Sequence, residues 1–566
     1  MTRFLIRSSF VFLAAVVLST GARAQNCDFE TEDVCVELPN GIPVPGRELR
    51  VEVTVSGPVP GEGQLFYRPT GTGIDEYTPI IPQLEGNRYS VSIPAEAVTV
   101  RGLDLYGTYI SEDGEPFSYP EVNPAGDPIH VSTYIGSFTA PIDLPARTYR
   151  MISAAADLGP TPVENVLQDD FGAPSIERWR LVRFNPLLGE NGEYEEFPNG
   201  TNSFRDGAAF WIITADGGTF DIDVAESTNP DSLPAIALAP GLNQIGNPYA
   251  FSVAWDAVRG EGDIGPLLEY VPETDDYRET TTLEPWTGYF VENFSGTAVR
   301  LAVPDRESNG GAVRRPETSY AVHIEARAGE HADLNNVVGF AEAATAEHDR
   351  LDLGEPPPIG AHVRVSVVEQ GRRAMRSLKP LSAEGATWDL DVTASPGVLA
   401  DGPRDVSLSL REMGVRPAGF ELFVIDRDRG TAVALADGIV DVTLSADRPV
   451  RHLRLIAGTE VFAQSESEGA PLSPTTFALA PTYPNPFAAQ TTIRYRLESR
   501  GTATLEVFDL LGRRVRVLAD GDQGAGSHNV DWDGRDAAGR LVANGVYLVR
   551  LRTGDASATR RVSVLR

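Results

Sequence analysis

The residues in this chain best suited to chemistry are hard oxygen donors. Asp349-Arg-Leu-Asp352 opens an acidic, proline-stiffened stretch that runs to Pro358, and Asp333 and Asn335 lie a little before it. Calcium binds several oxygens from carboxylates, amides and carbonyls, so Asp333, Asn335, Asp349 and Asp352 are candidate ligands. Their spacing fits no EF-hand, and in so acidic a chain solvated loops account for such clusters more simply. Asp531-x-Asp533-Gly-x-Asp536 also has the look of a calcium loop, but Trp532 and the hairpin after it explain it as turn chemistry.

Nucleophile patterns are absent from the sequence. It holds no H-E-x-x-H, no G-x-S-x-G and no phosphate loop. His323, His362 and His452 sit in strand patterns where packing explains them; His331 and His348 flank loops and can meet only through the fold. Carboxylates are too common for an acid pair of the glycosidase kind to stand out. Cys27 and Cys35 are the only cysteines, have no nearby histidine, and read as a local disulfide rather than a thiol or zinc site. No catalytic residue and no cofactor are assigned, calcium remaining a candidate. Trp211, Trp286, Tyr289 and Phe290 have the rings of a carbohydrate platform, yet Phe210-Trp-Ile-Ile213 is apolar on both faces, as a buried strand requires.

The elements that carry these residues read as strands throughout. Frequent Gly and Pro with recurrent turn signals favour an all-β chain, and 566 residues suggest about four domains. Residues 48–135 alternate as a sandwich does, beginning with Leu49-Arg-Val-Glu-Val-Thr-Val55 and including a hairpin signal at Asp113-Gly114. Residues 148–302 hold an internal duplication. Each half gives a strand, a strand ending in an acidic-aromatic turn, and a strand opened by Gly beside bulky aromatics: Arg205-Asp-Gly-Ala-Ala-Phe-Trp-Ile-Ile213 in one, Glu284-Pro-Trp-Thr-Gly-Tyr-Phe-Val291 in the other. Such repeats bury a shared apolar face. A linker at 303–316, a third sandwich at 317–462 and a Ser/Glu/Pro-rich linker at 463–482 follow.

The first 24 residues have the form of a secretory signal: Arg3 and Arg7, an apolar run from Phe10 to Leu18, and Ala22-Arg-Ala24, with cleavage between Ala24 and Gln25. That run is far short of the roughly 20 residues that span a bilayer, and no other run approaches it, so no transmembrane helix is expected. Residues 25–47, with Cys27 and Cys35, form an N-terminal segment.

The formal charge is −32, becoming −35 without residues 1–24, which hold three Arg and no acid. Residues 494–566 hold thirteen Arg against nine acids, a balance of +4, so residues 25–493 carry near −39. Repulsion excludes nucleic acid as a partner of that body. A basic tail on an acidic body fits a separate anionic partner for the tail. Lys379 is the only lysine, and an acidic, lysine-poor surface is expected of a salt-loving source.

Residues 483–566 carry the most specific signal. Tyr483-Pro-Asn-Pro-Phe487 cannot start a helix. Thr491–Leu497, Ala503–Asp509, Val515–Leu518, His528–Trp532, Gly545–Leu551 and Thr559–Leu565 then read as short strands separated by Gly and Asp turns. With VFDLLGRRVRVL, AGSHNVDWDGRDAAGRLVANGVYLVRL and a basic last strand, this stretch resembles the type A C-terminal sorting domain of the Bacteroidetes-type type IX secretion system. Its middle resembles the FlgD-type immunoglobulin-like fold. The matching positions are Tyr483, Pro484, Asn485, Pro486, Phe487, Gly512, Trp532, Asp533, Gly534, Gly545, Tyr547, Arg561 and Arg566, with Arg where that family often has Lys.

The resemblance implies a domain that directs passage across the outer membrane through the type IX machinery. The body is then released or joined to surface lipopolysaccharide. Residues 48–135 resemble fibronectin III or immunoglobulin-like modules, and 317–462 are similar to a sandwich often found ahead of such sorting domains. The expectation is a secreted or surface-displayed chain of antiparallel β-sandwiches with a structural, adhesive or binding role toward a glycan or protein. The alternatives are a carbohydrate-active or proteolytic enzyme, and a calcium-dependent adhesin.

Overall fold

The computed structural model describes residues 27–565 except 31–33, 56–61, 87, 111–114, 136–141, 160, 190, 200–203, 205–206, 221, 223–224, 232–234, 434–437, 471, 473–476, 498–500, 524–525 and 555. The signal segment with Ala24 and Gln25, the Asp113-Gly114 turn, Arg205 and Arg566 lie outside the described residues. Strand makes up about 52% of the chain and helix 5%, so the fold is all-β. Among the described residues no helix is long and apolar enough to cross a membrane. The chain divides into two compact units, residues 1–134 and 135–566.

The first unit is a sandwich of two antiparallel sheets. One runs Phe29–Glu30, Val34–Glu37, Leu49–Val55, Arg88–Ile93, Gln83–Glu85; the other runs Ile129–Val131, Leu103–Ile110, Glu62–Pro69, Thr78–Ile80, with Pro116–Tyr119 also on Leu103–Ile110. The 25–47 segment supplies two strands to the first sheet and is part of this core through Val34 and Val36. Cys27 and Cys35 form a disulfide, their Cα atoms 5.4 Å apart. At the centre Asp104 is fully buried, yet it accepts from Arg68 Nε at 2.8 Å and Thr70 Oγ1 at 2.7 Å, with His130 Nδ1 also at 2.7 Å. Burial raises its proton affinity, but His130, Thr70 and Arg68 outweigh that and hold the carboxyl below its ordinary range.

The duplication is visible as topology. The first half gives a sheet in the order Arg150–Ser153, Ala209–Thr214, Trp179–Asn185, Glu193–Glu196; the second gives Gly241–Gly246, Gly288–Asn293, Leu267–Val271, Asp276–Thr280. In each, the first strand pairs with the last, and the last with the second. The repeat includes short flanking strands too: Ile142–Leu144 pairs with Gly218–Phe220, and Ile236–Leu238 with Val299–Ala302. The halves join reciprocally, Ile152 bridging Thr287 and Ile245 bridging Ala208. They abut because the contact residues are small: a Cβ on Gly246 would fall 2.1 Å from Ser153 Cβ, and one on Gly288 2.5 Å from Met151 Cγ.

Residues 317–462 form one sheet of eleven strands, from Thr431–Val433 at one edge to Ile439–Leu444 at the other. It curls so that Tyr320, Phe340, Val365, Trp388, Leu408, Val424 and Leu455 share one core. Strands His331–Phe340 and Arg372–Lys379 pair in parallel, an exception to the antiparallel expectation.

Both expected linkers are tied down over part of their length. In 303–316, Ser308 N donates to Ser252 O and Gly310 N to Thr282 Oγ1. The 463–482 stretch is corrected at its start: Glu460–Glu466 is a helix capped by the Thr459 side chain, and Ala463, Ala470 and Leu472 pack on Ile425 and Ile456.

Candidate functional site

The C-terminal sandwich places the residues of the 483–487 motif against the last strand. Its sheets are Ala478–Leu479, Thr491–Leu497, Gly526–Trp532, and Arg514–Gln523, Gly501–Phe508, Gly545–Thr553, Ala556–Val564. The final strand is therefore an edge strand. The Asn485 amide makes two bonds to its free edge, Nδ2 donating to Arg561 O at 3.2 Å and Oδ1 accepting from Ser563 N at 2.8 Å. Phe487 adds two main-chain bonds, its N to Ser563 O at 3.0 Å and its O from Leu565 N at 2.9 Å. Pro484 and Pro486 carry no N–H, which keeps this segment out of a regular ladder and leaves the contact with the last strand to the Asn485 side chain and the Phe487 main chain.

Below the motif, Phe487 meets Trp532 edge-on at 5.4 Å, and Trp532 meets Tyr547 at 5.5 Å. Phe487, Trp532 and Tyr547 are buried, whereas Tyr483 is exposed. Gly512 and Gly534 take φ of +77° and +68° in turns, and Gly545 takes +156° where its strand begins, conformations that a side chain would strain. Asp533 Oδ1 accepts from Arg516 Nη1 at 2.7 Å and from Arg535 N at 3.1 Å. Asp531 accepts from Thr492, and Asp536 from Ala538 and Arg540. The Asp531–Asp536 carboxylates thus serve turns and ion pairs. Arg561 is exposed at the edge, and Leu510 and Leu511 stand exposed on the Asp509–Gly512 turn.

A second constellation lies where the duplicated module meets the eleven-stranded sheet. The two share apolar packing, since Leu353 and Met375 cluster with Trp211, Phe290 and Tyr277. Trp211, Tyr289 and Phe290 are core, which corrects the carbohydrate-platform reading for these three; Trp286 alone is half-exposed. The polar part of the junction centres on Arg364, buried among Asp275, Asp276 and Asp333. Asp276 Oδ2 accepts from Leu334 N at 3.1 Å and Asn335 Nδ2 at 2.8 Å. Asp333 accepts from Asn336 and Val365 N. Arg376 closes on Glu279 at 2.5 Å.

The acids outnumber the cation, and their proton affinities follow. Burial, then the Asp333 charge, pushes Asp276 up to about 6 and Glu355 up to about 8, against the pull of Arg364. Burial raises Asp333 as well. Arg364 stays charged because Asp333, Glu355 and Asp276 outweigh its burial. Burial thus shifts Glu355 toward its neutral form, and its Oε2 is buried without a hydrogen-bond partner. It lines a cleft of about 560 Å³ together with Arg364, Arg372, Arg373, His362 and the prolines 356–358. Glu292, the other carboxylate on that wall, is tied to His348 at 2.9 Å and to Gly354 N at 3.0 Å.

The calcium candidates of the sequence divide between two places. Asp333 and Asn335 belong to the Arg364 junction. Asp349 accepts from Thr345 N and Leu351 N within its own loop, while Asp352 accepts from Leu378 N and Asp349 N. Sequence reading missed Arg364, Glu355 and Asp276; the only signal for Glu355 was its place beside Pro356-Pro-Pro358 in the acidic stretch.

Comparison with known proteins agrees with the C-terminal geometry. Residues 487–557 match the family model of the FlgD Ig-like domain. No curated protein matches the chain. Among solved structures, the chain is similar at 11% identity and a TM-score of 0.16 to a tetra-tandem repeat in the extending region of a large adhesion protein, covering 94% of this chain and 98% of that one. It aligns at 9% identity and 0.15 with dimeric latent PorU from Porphyromonas gingivalis, over 94% of this chain and 34% of PorU. It also aligns at 12% identity and 0.13 with PorZ, described as a surface component of the type IX secretion system of that organism, over 93% and 75%. TM-scores this low establish no shared arrangement of modules.

Proposed function

We propose that this is an exported, surface-displayed or secreted protein whose C-terminal sandwich is a type IX sorting signal. The body ahead of it is a run of β-modules with a structural or adhesive role. One observation carries the reading: the Asn485 side chain and Phe487 main chain clamp the last strand, so motif and terminus form one surface. A partner that recognises the chain end would meet Arg561 and the exposed edge beside that clamp. The basic charge of residues 494–566 on an otherwise acidic chain suits the secretion machinery or anionic lipopolysaccharide.

The test is fractionation of cells expressing the full chain, a chain lacking 483–566, and Asn485→Ala. Retention of the truncated chain in the periplasm and reduced display of Asn485→Ala are expected. Unimpaired surface delivery of the truncated chain would overturn the proposal.

A second reading rests on the cleft at Glu355 and Arg364, whose size and mixed wall of prolines and charged groups suit a small polar ligand such as a glycan unit. A glycan array with the purified body, repeated with Glu355→Ala, tests it. Binding that Glu355→Ala leaves unchanged would count against the cleft.

A further inference from the structure

The loop between His331–Phe340 and Val363–Glu369 carries His348, whose side chain is only 8% exposed. Its Nε2 lies 2.9 Å from Glu292 Oε1. The other oxygen of Glu292 accepts from Gly354 N at 3.0 Å, so Glu292 acts as an acceptor and the histidine Nε2 carries the proton. In the neutral ring Nδ1 is then a lone pair. That nitrogen is buried and has no hydrogen-bond partner. It faces Asp352 Oδ2 at 3.5 Å, and Asp352 is 1% exposed. Glu369 arrives from the sheet, and one ligand atom from each of His348, Asp352 and Glu369 lies within 4.8 Å of the other two. Ser377 Oγ at 2.7 Å and Lys379 Nζ at 3.1 Å hold one Glu369 oxygen in place.

Lys379 serves Glu369 and the Asp349 and Leu378 N–H groups serve Asp352, but nothing among the described residues serves the His348 Nδ1 lone pair, which faces the Asp352 carboxylate; a cation between them would satisfy both. We propose that His348 Nδ1, Asp352 and Glu369 bind one divalent transition-metal ion, with Glu292 orienting the imidazole from behind. The spacing favours zinc over calcium. Ligands about 2.1 Å from a tetrahedral ion sit about 3.4 Å apart, close to the His348–Asp352 separation, and imidazole is a poor calcium ligand. A carboxylate on the far nitrogen of a metal-bound histidine is the usual outer-sphere partner, and Glu292 stands there. The ion pins the 341–354 loop to the eleven-stranded sheet, while Glu292 ties the same histidine to the duplicated module.

The rival arrangement is a doubly protonated His348 bridging Glu292 and Asp352 with no ion. Calorimetric titration of chelator-treated full-length protein with zinc, and the visible absorption of bound cobalt, separate the two. One saturable equivalent is expected, weakened about tenfold or more by His348→Ala and by Glu369→Gln. Circular dichroism checks that each variant folds. Glu369 is only partly buried, so its variant carries the test if His348→Ala unfolds. Absence of saturable binding of either ion, or equal binding by folded Glu369→Gln, overturns the proposal.

Discussion

Replacing Glu355 by Gln isolates the proton that the junction holds. Burial moves the Glu355 carboxyl from its ordinary 4.5 up to about 8. A group whose folded value is raised stabilises the fold fully below its unfolded value and loses that contribution as pH rises through the folded one. Here the window runs from about pH 4.5 to 8. At about 1.4 kcal/mol for each pH unit, the ceiling on the loss is about 5 kcal/mol. Asp276 and Asp333 lie in the same cluster and share the shift, so about 2–3 kcal/mol falls to Glu355 alone. Glutamine has the same shape and no titration. Wild type and Glu355→Gln should therefore be close at pH 4.5, with the variant gaining about 2–3 kcal/mol by pH 9.

All six tryptophans lie beyond residue 135, so their fluorescence in urea titrations follows the larger unit. Parallel pH profiles would mean that the carboxyl does not titrate in this window. A variant weaker than wild type at pH 9 would mean that the Glu355–Arg364 attraction outweighs desolvation. Either result refutes the reasoning.

Other expectations follow from the same kind of accounting. Asn485→Ala removes two hydrogen bonds to the last strand and should cost the C-terminal sandwich about 1–2 kcal/mol, while Phe487→Ala, which empties a place against Trp532, should cost about 3–5 kcal/mol; limited proteolysis of the tail reads both. Asp104→Asn leaves Arg68 buried without its counter-charge and should lower the stability of the first unit by about 3–5 kcal/mol at neutral pH, with the difference shrinking only as wild type is acidified below the ordinary aspartate value toward the lowered one, as read by circular dichroism. The melting temperature of the full chain should climb with added KCl, because at molar salt a Debye length of about 3 Å screens the charge of −32; a flat response removes the salt-loving reading.

What the sequence makes legible is periodic. Thr491–Leu497 alternates because one face is buried, whereas Leu49–Val55 alternates in sequence although Glu52 and Thr54 on its polar face are buried too; both strands lie where the alternation puts them. The duplication is legible because the reciprocal seam needs small residues beside aromatics, which leaves Ala208-Ala209 and Thr287-Gly288 in matching places. Its flanking strands were not visible, because three residues such as Ile142–Leu144 carry no period. The Glu460–Glu466 helix was hidden in a Ser/Glu-rich stretch, although Thr459 is a good cap. Polar clusters were the least legible. Asp104 meets Arg68 and His130 across strands 36 and 26 residues away, and His348 meets Glu292 across 56, with nothing local to mark either pair.

The two buried acid clusters argue for where a ligand contact of the body falls. Asp104 is buried more deeply than Glu355, yet three donors serve it and its carboxyl is held below the ordinary range. That is how a charge is buried for structure alone: its desolvation is offset on the spot. At the Arg364 junction the offset is incomplete. Asp276, Asp333 and Glu355 share one guanidinium, their proton affinities rise, and Glu355 keeps an oxygen without a partner on the wall of an open cleft. Replacing that carboxyl by a packed apolar side chain would remove the penalty, so stability alone gives no reason to keep it. A polar ligand entering the cleft would give Glu355 its missing partner. On the second reading, ligand binding and stability respond to Glu355 in opposite directions. Glu355→Leu would then raise the urea midpoint at pH 8 and abolish glycan-array binding; a variant that lost stability at that pH would return Glu355 to a structural role.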